Sequence, residues 1–181
     1  ELMGRYAGWI ALEAGIAGSA DVILIPEIPF TMEKVAEKLI ERKKSGSKSS
    51  IVVVAEGAKA VGGEMAVREK AADGYVLRLG GMGEIVGSEI ASRTGIETRV
   101  TVLGHLQRGG SPCPFDRLLA TRYGAAAVEL IANKKFGEMV SYQPPDITSV
   151  PLETAISALR LVDPEGELVK IAEGMGVSFG R

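Results

Sequence analysis

A chain of 181 residues, 46% hydrophobic and 24% charged, is long enough to bury a substantial core and too apolar to stay disordered. With 21 basic side chains against 23 acidic ones the formal charge is -2, which argues against a nucleic-acid groove or an anionic membrane surface as partner. No apolar run approaches the roughly 18 residues of a membrane span, and the lone cysteine, Cys113, excludes an internal disulfide framework and suits a reducing, cytoplasmic compartment.

The chain opens at Glu1-Leu2 on the turn Met3-Gly4-Arg5, with no initiator methionine. A small-residue helix is predicted over 12–18 and a buried strand over 21–27. Thr31 then caps an amphipathic helix that puts Val35, Leu39 and Ile40 on one face and Lys38, Glu41, Lys43 and Lys44 on the other, ending at Ser45-Gly46. The β-branched run over 50–56 predicts a second strand covered by helices on both faces. Glu56 ends it, at the carboxyl edge where open α/β sheets bind ligands.

Residues 57–83 are rich in glycine and mixed in charge, which predicts a surface excursion in the form of a hairpin. A helix over 84–94 stops near Gly95 and leads into a strand over 98–103. Pro112 and Pro114 set a turn before a long helix over 115–132 carrying Leu118, Leu119, Tyr123, Ala126 and Leu130. A short strand with few partners is predicted over 139–142 and a helix from Pro151 through Arg160. Asp163-Pro164 caps a last helix with Leu168, Ile171 and Ala172 inward. The alternation predicts an α/β fold, a three-layer α/β/α arrangement around a mostly parallel sheet.

The stretch 97–117, E-T-R-V-T-V-L-G-H-L-Q-R-G-G-S-P-C-P-F-D-R, carries the most chemistry. Arg99, Arg108 and His105, the one histidine in the chain, surround a strand-to-loop transition ending in Gly109-Gly110. Two guanidinium forks and an imidazole beside a glycine-rich backbone suit a phosphate. A single pair of arginines is ordinarily only a surface feature; here their order narrows the reading. An arginine, a histidine six residues on and an arginine three further resembles the fructose 6-phosphate signature of the 6-phosphofructokinases. Met3-Gly4-Arg5, followed by Tyr6-Ala7-Gly8, resembles the M-G-R turn of that family. Glu56 resembles its glutamate that receives sugar hydroxyls at a strand end. The resemblance covers nearly the whole chain.

The resemblance implies that Arg99, His105 and Arg108 hold the 6-phosphate, with Arg99 reaching in from a neighbouring subunit of a homo-oligomer, a dimer or tetramer. Met3 and Gly4 would line the sugar, Glu56 would accept its hydroxyls, and Arg5 would offset charge in the transition state. It also implies a fragment of a two-domain enzyme, roughly its C-terminal half. In that frame 1–108 binds fructose 6-phosphate, 109–157 belongs to the donor-binding domain and packs on a different sheet, and 158–181 returns to the first domain. The family takes the C1 proton with an aspartate in a T-I-D-N-D-like segment; Asp21, Asp73, Asp116, Asp146 and Asp163 lack that setting. The donor loop and the acidic group that helps place Mg2+ are expected outside this chain, which alone would catalyse nothing. The donor is ATP or pyrophosphate; the long insert after Glu56 resembles family members in which both donor types occur, so the expectation leans only slightly to ATP. Ser19, Asp21 and the loop 45–49, with Lys48 its one lysine, stand where family members bind effectors, but so little positive charge argues against effector control. The alternative is a non-catalytic regulatory or sugar-phosphate-binding subunit of the same fold; an unrelated sugar-binding module is the third reading.

Overall fold

Three consecutive aliphatic residues form strand β1, Val22–Leu24, and all three are fully buried. Successive strand side chains point to opposite faces, so this burial means that both faces of the sheet are covered. β2, Val52–Val54, pairs with β1 in parallel, setting Val22 against Val52 and Leu24 against Val54. Single parallel bridges extend the sheet on either side, Leu2 beside Ala55 and Ser178 beside Val22. The computed structural model describes residues 1–70 and 77–181.

Both strands are shorter than the expected 21–27 and 50–56. Pro26 has no N–H with which to continue β1. At the other end the Asp21 carboxylate takes the Ile51 N–H at 3.0 Å, which a ladder partner would otherwise have used. The strand expected over 98–103 is not regular strand: Glu1 donates to Thr101 O at 2.7 Å and accepts from Leu103 N at 3.1 Å, while 98–100 border a cleft instead of a second strand. A ladder needs a neighbour along its length.

Helix α1, Trp9–Ala17, starts three residues before the expected 12–18. Its N-terminus has no local side-chain cap; the Glu27 carboxylate, from beyond β1, accepts from Gly8 N at 3.0 and 3.1 Å. α2, Met32–Lys44, is capped by Thr31 Oγ1, which accepts from Lys34 N at 3.4 Å, and it buries Val35, Ala36 and Leu39 with Ile40 half-buried. Strands β3, Val67–Lys70, and β4, Leu77–Leu79, pair antiparallel within the predicted excursion, while Gly74 lies outside the described residues. α3, Met82–Thr94, begins earlier than expected because Glu1 Oε2 accepts from both Gly81 N and Gly83 N, at 2.9 and 2.8 Å, capping the helix from across the sheet. α3 packs on α2, and Arg93 pairs with Glu33 of α2 at 2.6 Å.

Two compact units divide the chain, 1–108 with 161–181, and 109–160. The first holds the core, in which Leu12, Ile23, Leu24, Phe30, Val35, Val86, Val169 and Phe179 are fully enclosed. Each such side chain contributes roughly 1.5–3 kcal/mol by leaving water. α1 packs on β1, β2 and the last helix, α6, Glu167–Gly174. That helix starts after Asp163-Pro164, with Gly166 at its cap, and buries Val169 and Ala172. Leu168 and Ile171, expected inward, are 37% and 44% exposed, because eight residues present only a narrow buried stripe.

In the second unit α4, Pro114–Ala132, packs on a hairpin of β5, Glu138–Gln143, and β6, Asp146–Pro151. The strand expected to have few partners is therefore paired along its whole length. Pro151 ends a strand where a helix start was predicted; its missing N–H is tolerated at the strand's last position, and only the short α5, Leu152–Ile156, follows. Among the described residues no helix is long and apolar enough to cross a membrane.

Candidate functional site

The parallel ladder delivers Glu56 and the Met3-Gly4-Arg5 turn to one place. Leu2 N donates to Val54 O at 2.8 Å, Glu56 N to Leu2 O at 2.9 Å and Gly57 N to Gly4 O at 3.0 Å, so the turn lies along the carboxyl end of β2. Gly4 has φ +147°, a conformation glycine adopts without cost. Gly57 is compelled by proximity, since a Cβ there would stand 1.9 Å from Arg5 O.

Side chains finish the arrangement. Glu56 Oε1 accepts from Gly4 N at 3.3 Å. The Arg5 guanidinium lies 5.2 Å from the Tyr6 ring centroid, a cation–π contact that orients it, and its Nε is buried without an acceptor in the protein. Met3 N donates to Gln107 Oε1 at 3.4 Å. Gln107 belongs to a 3-10 turn, Gly104–Arg108, in which residues three apart share a face. His105 and Arg108 are so related, and both are exposed.

Of the residues singled out in the sequence, the turn Met3-Gly4-Arg5 is joined to Glu56 by the hydrogen bond at Gly4 N, and Gln107 ties Met3 to the turn bearing His105 and Arg108. Arg99 stands apart. Its side chain is 87% exposed, and it pairs with Glu97 Oε1 through Nε and a terminal nitrogen at 3.1 and 2.9 Å. It borders a cleft of about 700 Å3 with Glu1, Lys43 and Lys48. Asp21 is engaged structurally, by Arg42 Nε at 2.9 Å and by Ile51 N, and Lys48 is exposed.

Sequence reasoning missed Gln107, Gly57 and Glu27. Gln107 lies inside the quoted motif and Gly57 beside Glu56, but their partners are 104 and 52 positions away and leave no local pattern. Glu27, besides Gly8 N, accepts from Val162 N at 2.9 Å, fixing the chain where it re-enters the first unit. Among the described residues no three His, Cys, Asp or Glu side chains gather where they could hold a metal ion.

Chemically, the group offers fixed backbone amides, one carboxylate with an uncommitted oxygen and one guanidinium oriented by an aromatic ring at a sheet's carboxyl edge, linked to a turn that carries an imidazole and a guanidinium on one face. These are the components needed to hold a phosphorylated polyol and to offset charge on a transferring phosphoryl group.

Comparison with known proteins points the same way. The family profile described as Phosphofructokinase matches residues 1–131. An ATP-dependent 6-phosphofructokinase of Chloroflexus aurantiacus is 55% identical over 99% of this chain and 49% of its own length. A pyrophosphate--fructose 6-phosphate 1-phosphotransferase of Streptomyces coelicolor is 48% identical over 99% of this chain and 51% of its own. The chain thus spans about half the length of the curated relatives it matches. The solved phosphofructokinase of Saccharomyces cerevisiae superposes with a TM-score of 0.68 at 30% identity, covering 86% of this chain and 20% of that one. Motif order, the meeting of the Met3-Gly4-Arg5 turn with Glu56 at the carboxyl end of β2 and these likenesses converge, and the chain belongs to the phosphofructokinase family.

Proposed function

We propose that the chain is the substrate-binding half of a 6-phosphofructokinase, which transfers a phosphoryl group from ATP or pyrophosphate to the C1 hydroxyl of fructose 6-phosphate in cytoplasmic glycolysis. The observation that carries this reading is the linkage of the Arg5–Glu56 group, through Gln107, to the turn presenting His105 and Arg108.

In this reading His105 and Arg108 bind the 6-phosphate from one face of their turn. Charge-assisted donors of this type are about twice as strong as neutral ones. Glu56, held against Gly4 N through one oxygen, accepts sugar hydroxyls with the other. Arg5, its guanidinium oriented by Tyr6, offsets the negative charge spread over the transferring group in the transition state. Arg99, exposed and held only by a neighbour two residues away, serves the site of an adjoining subunit in a dimer or tetramer. The proton acceptor for the C1 hydroxyl, the donor site and the ligands of Mg2+, which supplies charge neutralisation on the donor phosphates when bound, belong to the rest of the enzyme. Among donors we favour ATP.

The test is phosphoryl transfer to fructose 6-phosphate by the complete protein with Mg2+, ATP and pyrophosphate being assayed in parallel. Turnover with either supports the assignment and names the donor. No turnover with both, in a folded protein that still binds fructose 6-phosphate, would replace it with a regulatory, sugar-phosphate-binding subunit.

A further inference from the structure

The 3-10 turn Gly104–Arg108 shows two faces. His105, Leu106 and Arg108 are exposed, whereas Gln107 is half-buried and directed at the Met3 turn. Its amide works in both directions: Oε1 accepts from Met3 N at 3.4 Å, and Nε2 donates to Gly104 O, at the start of its own turn, at 3.0 Å. A single side chain therefore closes the turn on itself and pins it to the backbone of the segment carrying Arg5. Met3 is followed by Gly4, whose N–H is held by Glu56, so adjacent amides are fixed by side chains from two different loops.

We infer that Gln107 is a positioning residue, touching no substrate, which sets the distance between the His105/Arg108 face and the Arg5–Glu56 group and thereby the affinity for the sugar phosphate. The inference rests on the reading of the site given above. A phosphate held at one end and hydroxyls held at the other demand a fixed spacing, and displacement of about 1 Å is enough to forfeit much of the binding. Because the amide joins the turn bearing His105 and Arg108 to the Met3 segment, its loss falls first on the sugar phosphate and much more weakly on the donor.

In the complete protein, Gln107→Leu keeps the side chain's bulk and removes both hydrogen bonds, while Gln107→Glu keeps an acceptor for Met3 N and loses the donor to Gly104 O. The first should raise KM for fructose 6-phosphate roughly tenfold, the second less, with KM for the donor within about twofold of the parent in both. A purely structural role would move both KM values together, or lower only the thermal midpoint. Either of those results, or an unchanged KM for fructose 6-phosphate, overturns the inference. Should Gln107→Leu not fold, Gln107→Glu carries the comparison on the same criteria. Arg108→Ala, measured alongside, separates the two levels: if it raises KM and the Gln107 variants do not, only the role of Gln107 falls. If Arg108→Ala also changes nothing, the site assignment falls first and the inference with it.

Discussion

Gly57 is the residue on which the candidate site depends most tightly. A methyl group there would sit 1.9 Å from Arg5 O and 2.6 Å from Arg5 C, both backbone atoms that cannot swing aside, so Gly57→Ala must displace the Met3-Gly4-Arg5 turn from β2. Overpacking of this kind costs roughly 1–3 kcal/mol; we expect a lower denaturant midpoint together with loss of phosphoryl transfer in the complete protein, and an unchanged midpoint would contradict the packing described. Arg108→Ala should act differently, raising the fructose 6-phosphate requirement about tenfold or more at little cost in stability, as befits an exposed cation whose work is done on a ligand. Steady-state kinetics with the melting midpoint measured in parallel distinguishes the two. Met3, Gly4, Arg5, Glu56, His105 and Arg108 were marked as candidates by the sequence because their motifs are contiguous, each on one stretch of backbone. Gln107 and Glu27 were not, since what assigns them is a hydrogen bond to a partner 104 or 135 positions away, which no local spacing encodes.

At the scale of elements, helix ends repay attention. Thr31 gives α2 a side-chain cap, and Thr31→Ala should cost about 1 kcal/mol, read from the shift in unfolding midpoint. α4 begins with a reciprocal box in which Asp116 accepts from Cys113 N at 2.8 Å and Cys113 Sγ takes the N–H of Asp116. The backbone N–H of Cys113, with its thiol second, holds the Asp116 carboxyl below its ordinary value. A carboxyl depressed in the folded state adds stability above the unfolded value, near pH 4, and loses it as acid protonates the folded form. Asp116→Asn should therefore lower the melting midpoint at pH 7 and lower it progressively less as acid protonates the folded form; an effect that does not shrink on acidification would rule out the charged cap. Sequence periodicity located α2 nearly to the residue because it combines a cap, a stripe and a basic end. It failed over 98–103, 146–151 and the starts of α1 and α3, where the deciding partners, a neighbouring strand or a carboxylate from Glu27 or Glu1, come from elsewhere in the chain.

For the whole molecule the two units differ in how they could stand alone. The first contains every fully buried hydrophobic residue of the described chain; in 109–160 no residue is buried, and its α4 leaves Phe115, Leu118, Val128 and Ile131 exposed. A segment without an enclosed core cannot offset the entropy of ordering its backbone. Residues 109–160 expressed separately should melt without a cooperative transition in calorimetry, and a sharp transition would show stabilisation that their burial does not provide. The α/β class was expected from the alternation of elements and from family likeness. The extent of pairing in the second unit was not, because a hairpin ending in proline reads like the start of a helix.

The bridge between Val22 and Ser178 has a temporal side. Ile23 N donates to Ser178 O and Ser178 N to Asp21 O, at 2.9 and 3.0 Å, while Phe179 is buried and Gly180 lies against Phe30 and Leu24. During synthesis, β1 lacks one flank until residues 177–180, far behind it in the chain, have emerged from the ribosome. Long-range closure of this kind is slow, so the aliphatic edge of β1 stays unsheathed while the intervening residues are made.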